Sequence, residues 1–377
     1  MNMKVLHTAD LHLGKIVAGV SMLAEQREVL KQITTIALEE KVDAIIVAGD
    51  LYDRSIPPTD AVELLDEVLQ TWNVEHRFPI LAISGNHDSQ ERLAFGSTWY
   101  ENNKLFLKGK LTNKMQPIEL DDTQFWLVPY HEPAQAREIF QDDAIRSHED
   151  AMQRVVAEIK RNWDPTKAQV LIGHAFVAGG VPSDSERQLA IGNVDRVATQ
   201  FFEAFTYTAL GHLHHPHAIK HPTIHYSGSP LKYSFSEAED HKSVRIVEWD
   251  AEGLISVNER ELTPVHDMRI LTGTLEALTT HIDGSPEDYL QIRLLDAGAL
   301  IDPIGKLRAF YPNILHLERV KPRLEKAKKE AFKEVIQKDE RDLFQQFFHY
   351  TTGETLSADQ NEVLEEVIAE VRGADEN

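Results

Sequence analysis

At 377 residues the chain is longer than one ordinary core fills, so a large domain with a smaller companion is expected. It has no cysteine, which excludes disulfides and thiolate zinc sites, and its net charge of −22 argues against general nucleic-acid binding unless basic residues are concentrated locally. No apolar run approaches the ~18 residues of a membrane span, and the opening MNMKVLHTAD lacks the apolar core of a signal peptide, so a cytoplasmic protein is expected.

The first 260 residues alternate short apolar runs with amphipathic segments. Strands are predicted at Val5–Ala9, Ala44–Ala48, Ile80–Ser84, Phe125–Pro129, Val170–Gly173, Tyr207–Leu210, Thr223–Tyr226 and Val244–Trp249. Helices are predicted through Leu23, Leu30, Ile33 and Ala37, then after Pro58-Thr59 through Val62, Leu65, Val68, Leu69 and Trp72. A third runs through Met152, Val155, Val156 and Ile159. This pattern is α/β. From Met268 to about Arg319 the order strand, helix, strand, helix, strand describes a small α+β module, too small for a core of its own unless it docks on the larger domain. A mixed-charge connector follows at Lys321–Arg341, with nine basic and five acidic residues over 319–341. Beyond it lie an apolar cluster (Leu343, Phe344, Phe347, Phe348) and a helix capped by Ser357 and Gln360 with a Val363, Leu364, Val367, Ile368, Val371 stripe. The expected domains are therefore 1–262, 263–320 and 321–377.

Five strands of the first region end alike, in small residues and then a carboxylate, amide or imidazole. They are VLHTADLH (Asp10, His12), IIVAGDLYDR (Asp50, Asp53, Arg54), LAISGNHD (Asn86, His87, Asp88), VLIGHAF (His174) and TALGHLHH (His212, His214). Strand ends are where α/β folds collect ligands. The i, i+2 spacing of Asp10 with His12 and of His212 with His214 would point each pair one way in an extended backbone. Seven N/O donors (Asp10, His12, Asp50, Asn86, His174, His212, His214) are too many for one zinc, which usually takes four. They suit two divalent ions sharing a bridging carboxylate, with Asp50 as the bridge. The mixed donor set points to Mn²⁺, Fe²⁺ or Zn²⁺. Two such ions bring four positive charges against two carboxylates, so the site favours an anionic substrate. Ions about 3.5–4 Å apart can activate a water for displacement at phosphorus. His87 is the candidate general acid, Asp53 the group that would orient and charge-stabilise it, and Arg54 a candidate phosphate contact.

The order DxH, GDxxDR, GNHD, GH, GHxH over residues 10–214 resembles the calcineurin-like metallophosphoesterase superfamily. The resemblance implies a four-layer αββα sandwich with metals at the strand ends. It places Asp10, His12, Asp50 and His214 on one ion, and Asp50, Asn86, His174 and His212 on the other. Within the superfamily, PSDSERQLAIGNVDRV (182–197), IHYSGSPLKYSFSEAEDHKSV (224–244), the small module as a cap and the helical arm are similar to bacterial DNA nuclease subunits. That similarity implies a 3′→5′ exonuclease on duplex ends and an endonuclease at hairpins, with Mn²⁺ as cofactor. It also implies a homodimer working with a coiled-coil ATPase in DNA repair and recombination. Position 53 is aspartate where many archaeal and eukaryotic relatives have histidine.

GDxxDR and GNHD are shared with phosphoprotein phosphatases and small-molecule phosphodiesterases, so that activity is the alternative; a metal-stabilised non-catalytic scaffold is the third reading. The cap and arm discriminate against a stand-alone phosphatase, and His87, which is not a ligand, discriminates against a scaffold. His7 reads as a satisfied core histidine, and His215 and His217 as surface or substrate-facing. Ser227-Gly228-Ser229 reads equally as a plain turn or as a phosphate-donor loop.

Overall fold

The computed structural model describes residues 2–180, 182–186, 196–282 and 284–320. In the C-terminal part it describes 344–345, 347–349, 354–357, 359–361, 363–364 and 367–368. The predicted connector at Lys321–Arg341, Leu343, Val371 and residues 187–195 of the 182–197 motif lie outside the described residues.

Two sheets carry the first 260 residues. The first runs Gly253–Glu261, Ser243–Asp250, Met3–Thr8, Ala44–Ala48, Ile80–Ile83, Leu105–Lys108. Its last four strands are parallel and its first two form an antiparallel ribbon against Met3–Thr8. The second runs Ile224–Tyr226, Tyr207–Gly211, Ala168–His174, Thr123–Val128, Ile118–Leu120, parallel except for the last strand. Side chains alternate across each sheet, which is why nearly every strand residue is apolar. Ala44, Ile46 and Ala48 face the second sheet's Phe125, Val170, Ile172 and Tyr207. Ile45 and Val47 face the opposite way, against Val29, Leu30 and Ile33 of helix Leu23–Glu40 and Leu64 and Leu65 of helix Thr59–Leu69. On the outer face of the second sheet, helix His148–Arg161 buries Met152, Val155, Val156 and Ile159 beside Trp126 and Leu171. Each large apolar side chain removed from water in this way contributes roughly 1.5–3 kcal/mol. Helix, sheet, sheet, helix is the expected four-layer order.

Helix His148–Arg161 begins in a capping box: Asp150 N–H donates to Ser147 Oγ at 3.1 Å and Ser147 N–H to Asp150 Oδ2 at 2.9 Å. The eight predicted strands of this region are present with ends shifted by up to two residues. Three strands of these two sheets were not predicted: Leu105–Lys108, Ile118–Leu120 and Gly253–Glu261; nor were the two-residue pairs Ile16–Val17 with Val20–Ser21 and Phe176–Val177 with Arg196–Val197. The first three are edge strands whose outer sides stay partly wet, and Ile118–Leu120 and Gly253–Glu261 accordingly lack a strong apolar signal.

The α+β module has strands Met268–Gly273, Tyr289–Leu294 and Ile314–Arg319, with short helices Leu275–Thr280 and Pro303–Arg308 between them. The sequence suggested it was too small for a core of its own unless it docked on the larger domain. Leu271, Leu278, Leu290, Ile292, Leu294, Leu307, Tyr311 and Ile314 are buried together. Tyr311 can sit there because its hydroxyl donates to the Leu278 carbonyl at 3.1 Å. A second cluster, Val17, Met22, Met268 and Tyr289, joins the module to the loop and helix that follow the first strand. Residues 1–294 and 300–318 accordingly form one compact unit, inside which the expected boundary at 262–263 falls.

The second unit comprises residues 295–299 and 319–377. In it Ser357 N–H donates to Gln360 Oε1 at 2.9 Å and Gln360 N–H to Ser357 Oγ at 3.3 Å, the predicted cap. Phe344, Phe348, Leu356, Val363, Leu364 and Val367 line an apolar cleft of about 440 Å³. No described helix is long and apolar enough to cross a membrane.

Candidate dinuclear metal centre

The parallel strands of both sheets end on one side, and all seven predicted donors meet there. Asp10 and His12 follow Met3–Thr8, Asp50 follows Ala44–Ala48, and Asn86 follows Ile80–Ile83. His174 ends Ala168–His174, and His212 and His214 follow Tyr207–Gly211. His12 Nε2 lies 3.1 Å from His214 Nε2 and 3.6 Å from Asp50 Oδ2. On the other side of Asp50, its Oδ2 is 3.4 Å from His174 Nε2. Asn86 Oδ1 is 3.0 Å from that nitrogen and 3.1 Å from His212 Nδ1. Asp10, His12 and His214 thus form one group able to hold a cation, and Asp10, Asp50 and His174 another. Asp50 has a neighbour in each half.

The convergence does not come from extended backbone, as the i, i+2 reading supposed. Asp10, His12, Asp50 and His212 have φ of 54°, 44°, 49° and 104°, so the chain leaves its strands in left-handed turns. A non-glycine residue held there costs of order 1–3 kcal/mol, which must be offset by surrounding contacts. Asp10 N–H donates to the Gly49 carbonyl at 3.0 Å, and His12 N–H to the Asp50 carbonyl at 2.9 Å. Two glycines let the loops touch. A Cβ on Gly85 would collide with the Asp50 carboxylate, and one on Gly211 with the Ala48 carbonyl.

Asp10, His12, Asp50, His174, His212 and His214 are all at most 4% exposed. Buried ionisable groups are costly unless paired or bound to metal. Here imidazole nitrogens face one another and a carboxylate. His12 Nδ1 and Asn86 Nδ2 have no hydrogen-bond partner among the described residues, while Asn86 turns its oxygen inward. His174 Nδ1–H donates to the Ala48 carbonyl at 2.9 Å, so in the neutral ring Nε2 is the lone pair aimed at the centre. Imidazole, carboxylate and amide donors in this arrangement fit two divalent cations.

Without cations the site's charges are strained. Burial pushes the Asp10 carboxyl up to about 7, against the pull of His174 and His214. Burial lowers His212 to about 3. It also opposes charge on His174, but the Asp50 carboxylate outweighs it and raises that imidazole to about 9. Divalent ions compete with such protons for the same lone pairs, so cation binding and proton release are linked.

His87 and Asp53 lie at the edge of the cluster, with atoms of His12, Asp53 and His87 within 4.8 Å of one another. The contact that orients His87 differs from the one expected. Its Nδ1–H donates at 2.9 Å to the Asp53 backbone carbonyl, and its own N–H donates at 2.8 Å to Asp50 Oδ1. The Asp53 carboxylate instead takes Lys15 Nζ at 2.8 Å and lies 3.6 Å from His12 Nδ1. Arg54 is not drawn in: its side chain is 67% exposed, 3.6 Å from the Asp53 carboxylate.

His7 is the core histidine expected, with Nδ1 2.9 Å from the Tyr207 hydroxyl and Nε2 3.2 Å from the Leu210 carbonyl. His215 and His217 are 43% and 60% exposed. Ser227 and Ser229 are buried, and their hydroxyls bond to main-chain carbonyls, which is the turn reading. Sequence reasoning gave no role to Asp88, although it was in the GNHD motif. Its carboxylate accepts N–H bonds from Leu51, Tyr52 and Gly85 at 2.9–3.1 Å, tying the Asp50 loop to the Asn86 loop. Nor did it single out Gln26, whose amide nitrogen donates to the Leu11 and His12 carbonyls at 3.0 and 2.8 Å while its oxygen accepts Gly14 N–H at 3.1 Å. The available signal was a polar residue on the otherwise apolar stripe of Leu23, Leu30 and Ile33.

A four-layer sandwich with two clusters of buried cation-binding side chains at its strand ends defines a phosphoester hydrolase of the dinuclear type. The chain belongs to the calcineurin-like phosphoesterase family, whose model matches residues 3–216. A second model, described as the type 5 capsule protein repressor C-terminal domain, matches residues 264–352. The SbcD nuclease of the Staphylococcus epidermidis SbcCD complex is 36% identical over 369 residues, covering 97% of this chain and 98% of its own. Two solved structures are each 12% identical. A dimetal phosphatase from Danio rerio covers 70% of this chain and 99% of its own at a TM-score of 0.40. TT1561 of Thermus thermophilus covers 69% and 99% at 0.37.

Proposed function

We propose that this chain is the nuclease component of an SbcCD-type complex, a Mn²⁺-dependent enzyme that degrades duplex ends 3′→5′ and opens hairpins. Its partner is an SbcC-like coiled-coil ATPase, its setting DNA repair, recombination and replication in the cytoplasm. The observation that carries the reading is likeness to an SbcD nuclease over nearly the whole of both chains, cap and arm included. The seven donors support it. The domains follow as nuclease 1–262, cap 263–320, and connector with ATPase-binding arm 321–377.

In this reading Asp10, His12, Asp50 and His214 hold one cation, and Asp50, Asn86, His174 and His212 the other. When bound, the pair supplies an activated water and neutralises charge at phosphorus. The chain's own groups do the rest. Because the Asp53 carbonyl takes the Nδ1–H of His87, a proton sits on Nε2 only in the imidazolium. The charged ring is therefore the form that protonates the leaving oxygen. Arg54, exposed at the rim, is free to reach a flanking phosphate. Phe95 and Trp99 are 73% and 71% exposed, with rings 6.5 Å apart, and support a homodimer contact.

The test is cleavage of a hairpin-ended duplex with Mn²⁺, with and without the cognate ATPase. Cleavage that needs Mn²⁺ and is stimulated by ATPase supports the proposal. Hydrolysis of a phosphopeptide or small phosphodiester, but not DNA, would overturn it.

A further inference from the structure

The stretches 182–197 and 224–244 contain no cation donor, yet their described parts close on one imidazole. Ser185 Oγ lies 2.6 Å from His214 Nδ1 and 2.5 Å from Glu237 Oε1. The other Glu237 oxygen takes Lys242 Nζ at 2.6 Å, and the same ammonium donates to the His214 carbonyl at 2.9 Å. That carbonyl also accepts Ser229 N–H at 3.1 Å. His214 N–H donates to Glu186 Oε1 at 2.6 Å. The residue is therefore gripped at its main-chain nitrogen, its main-chain oxygen and one ring nitrogen. Glu237 is 0% exposed and Lys242 4%, so neither charge is shared with solvent.

The direction of the protons follows from what each atom can do. An ionised carboxylate only accepts, so the Ser185 hydroxyl donates to Glu237. Its oxygen then accepts from His214, which puts the ring proton on Nδ1. His214 Nε2, 3.1 Å from His12 Nε2, is left as a lone pair facing the centre. A buried Glu237–Lys242 pair needs no serine to be satisfied, so the seryl bridge is surplus to a purely structural role.

We propose that Glu237 is a positioning residue which, through Ser185, fixes the tautomer and orientation of His214 for one of the two cations. The role rests on the dinuclear reading given above. Such outer-sphere partners typically set metal affinity by about 10–100-fold.

The full-length protein is titrated with Mn²⁺ by calorimetry, and the His214 ring is followed by ¹⁵N NMR without cations at a pH where it is neutral. Ser185→Ala, on a partly exposed loop, should weaken one of two Mn²⁺ sites by about 10–100-fold and mix the His214 tautomers. Ser185→Thr, which keeps the hydroxyl, should restore both. The charge-balanced pair Glu237→Leu with Lys242→Met, which leaves Ser185 no acceptor at that position, should behave like Ser185→Ala. If that pair fails to fold, the Ser185 variants decide alone. Unchanged tautomer and affinity in Ser185→Ala, or equal weakening of both sites, overturns the inference. Fewer than two Mn²⁺ on the unsubstituted protein would instead overturn the dinuclear reading itself.

Discussion

Asp88→Asn tests whether the site is built by its supporting bonds. Asp88 is 8% exposed, and one oxygen accepts from Leu51 and Gly85 while the other accepts from Tyr52. An asparagine oxygen can keep the first two bonds, but its NH₂ then faces the Tyr52 N–H, donor against donor. An orphaned donor costs about 1–3 kcal/mol, and the two remaining bonds lose their charge assistance. A neutral amide is cheaper to bury than a carboxylate, so the net loss should be about 2–3 kcal/mol. Because the lost bond ties the Asp50 loop to the Asn86 loop, Mn²⁺ affinity should fall roughly tenfold as well. Chemical denaturation without cations and a calorimetric Mn²⁺ titration measure the two effects. A loss below about 0.5 kcal/mol with unchanged affinity would refute the claim that Asp88 holds the ligand loops in place.

His87→Ala should keep both cations and reduce cleavage by about 10²–10⁴-fold, read by Mn²⁺ stoichiometry and nuclease rate. Normal cleavage would remove it as the proton donor. Burial lowers His131 from 6.5 to about 4, so the unfolded chain binds the extra proton between those values. The contribution to stability is therefore full above pH 6.5 and lost as pH falls towards 4, up to about 3 kcal/mol. His131→Asn keeps a donor for the Pro129 carbonyl and cannot ionise there, so it should flatten the acid limb of a stability–pH curve; an unchanged limb would count against burial as its source. Deleting residues 343–377 should abolish binding to the ATPase in a pull-down while both Mn²⁺ sites survive. Retained complex formation would refute the arm's role.

The donors were legible because their chemistry is local: each is a polar residue just past an apolar run, and seven of them in fixed order leave few alternatives. The strands carrying them were legible for the same reason, being buried on both faces. What escaped was whatever depended on the folded path. Asp53 and His87 were rightly placed together, yet the bond runs through a main-chain carbonyl, and carbonyls carry no side-chain signal. The left-handed turns at Asp10, His12, Asp50 and His212 cannot be read from those residue types: Asp and His adopt positive φ more often than most non-glycine residues, yet only a small minority of them do. Glu237 and Lys242 sit in an unremarkable charged stretch, EAEDHK, that only tertiary packing buries. The edge strand Gly253–Glu261 escaped because its exposed side weakens the alternation that marks a strand.

The central claim is tested most directly by crystals grown with Mn²⁺ and examined by anomalous scattering at the manganese edge. Two peaks should lie on either side of Asp50, one among Asp10, His12 and His214 and the other among Asn86, His174 and His212. A single peak, or peaks away from these side chains, would contradict the account.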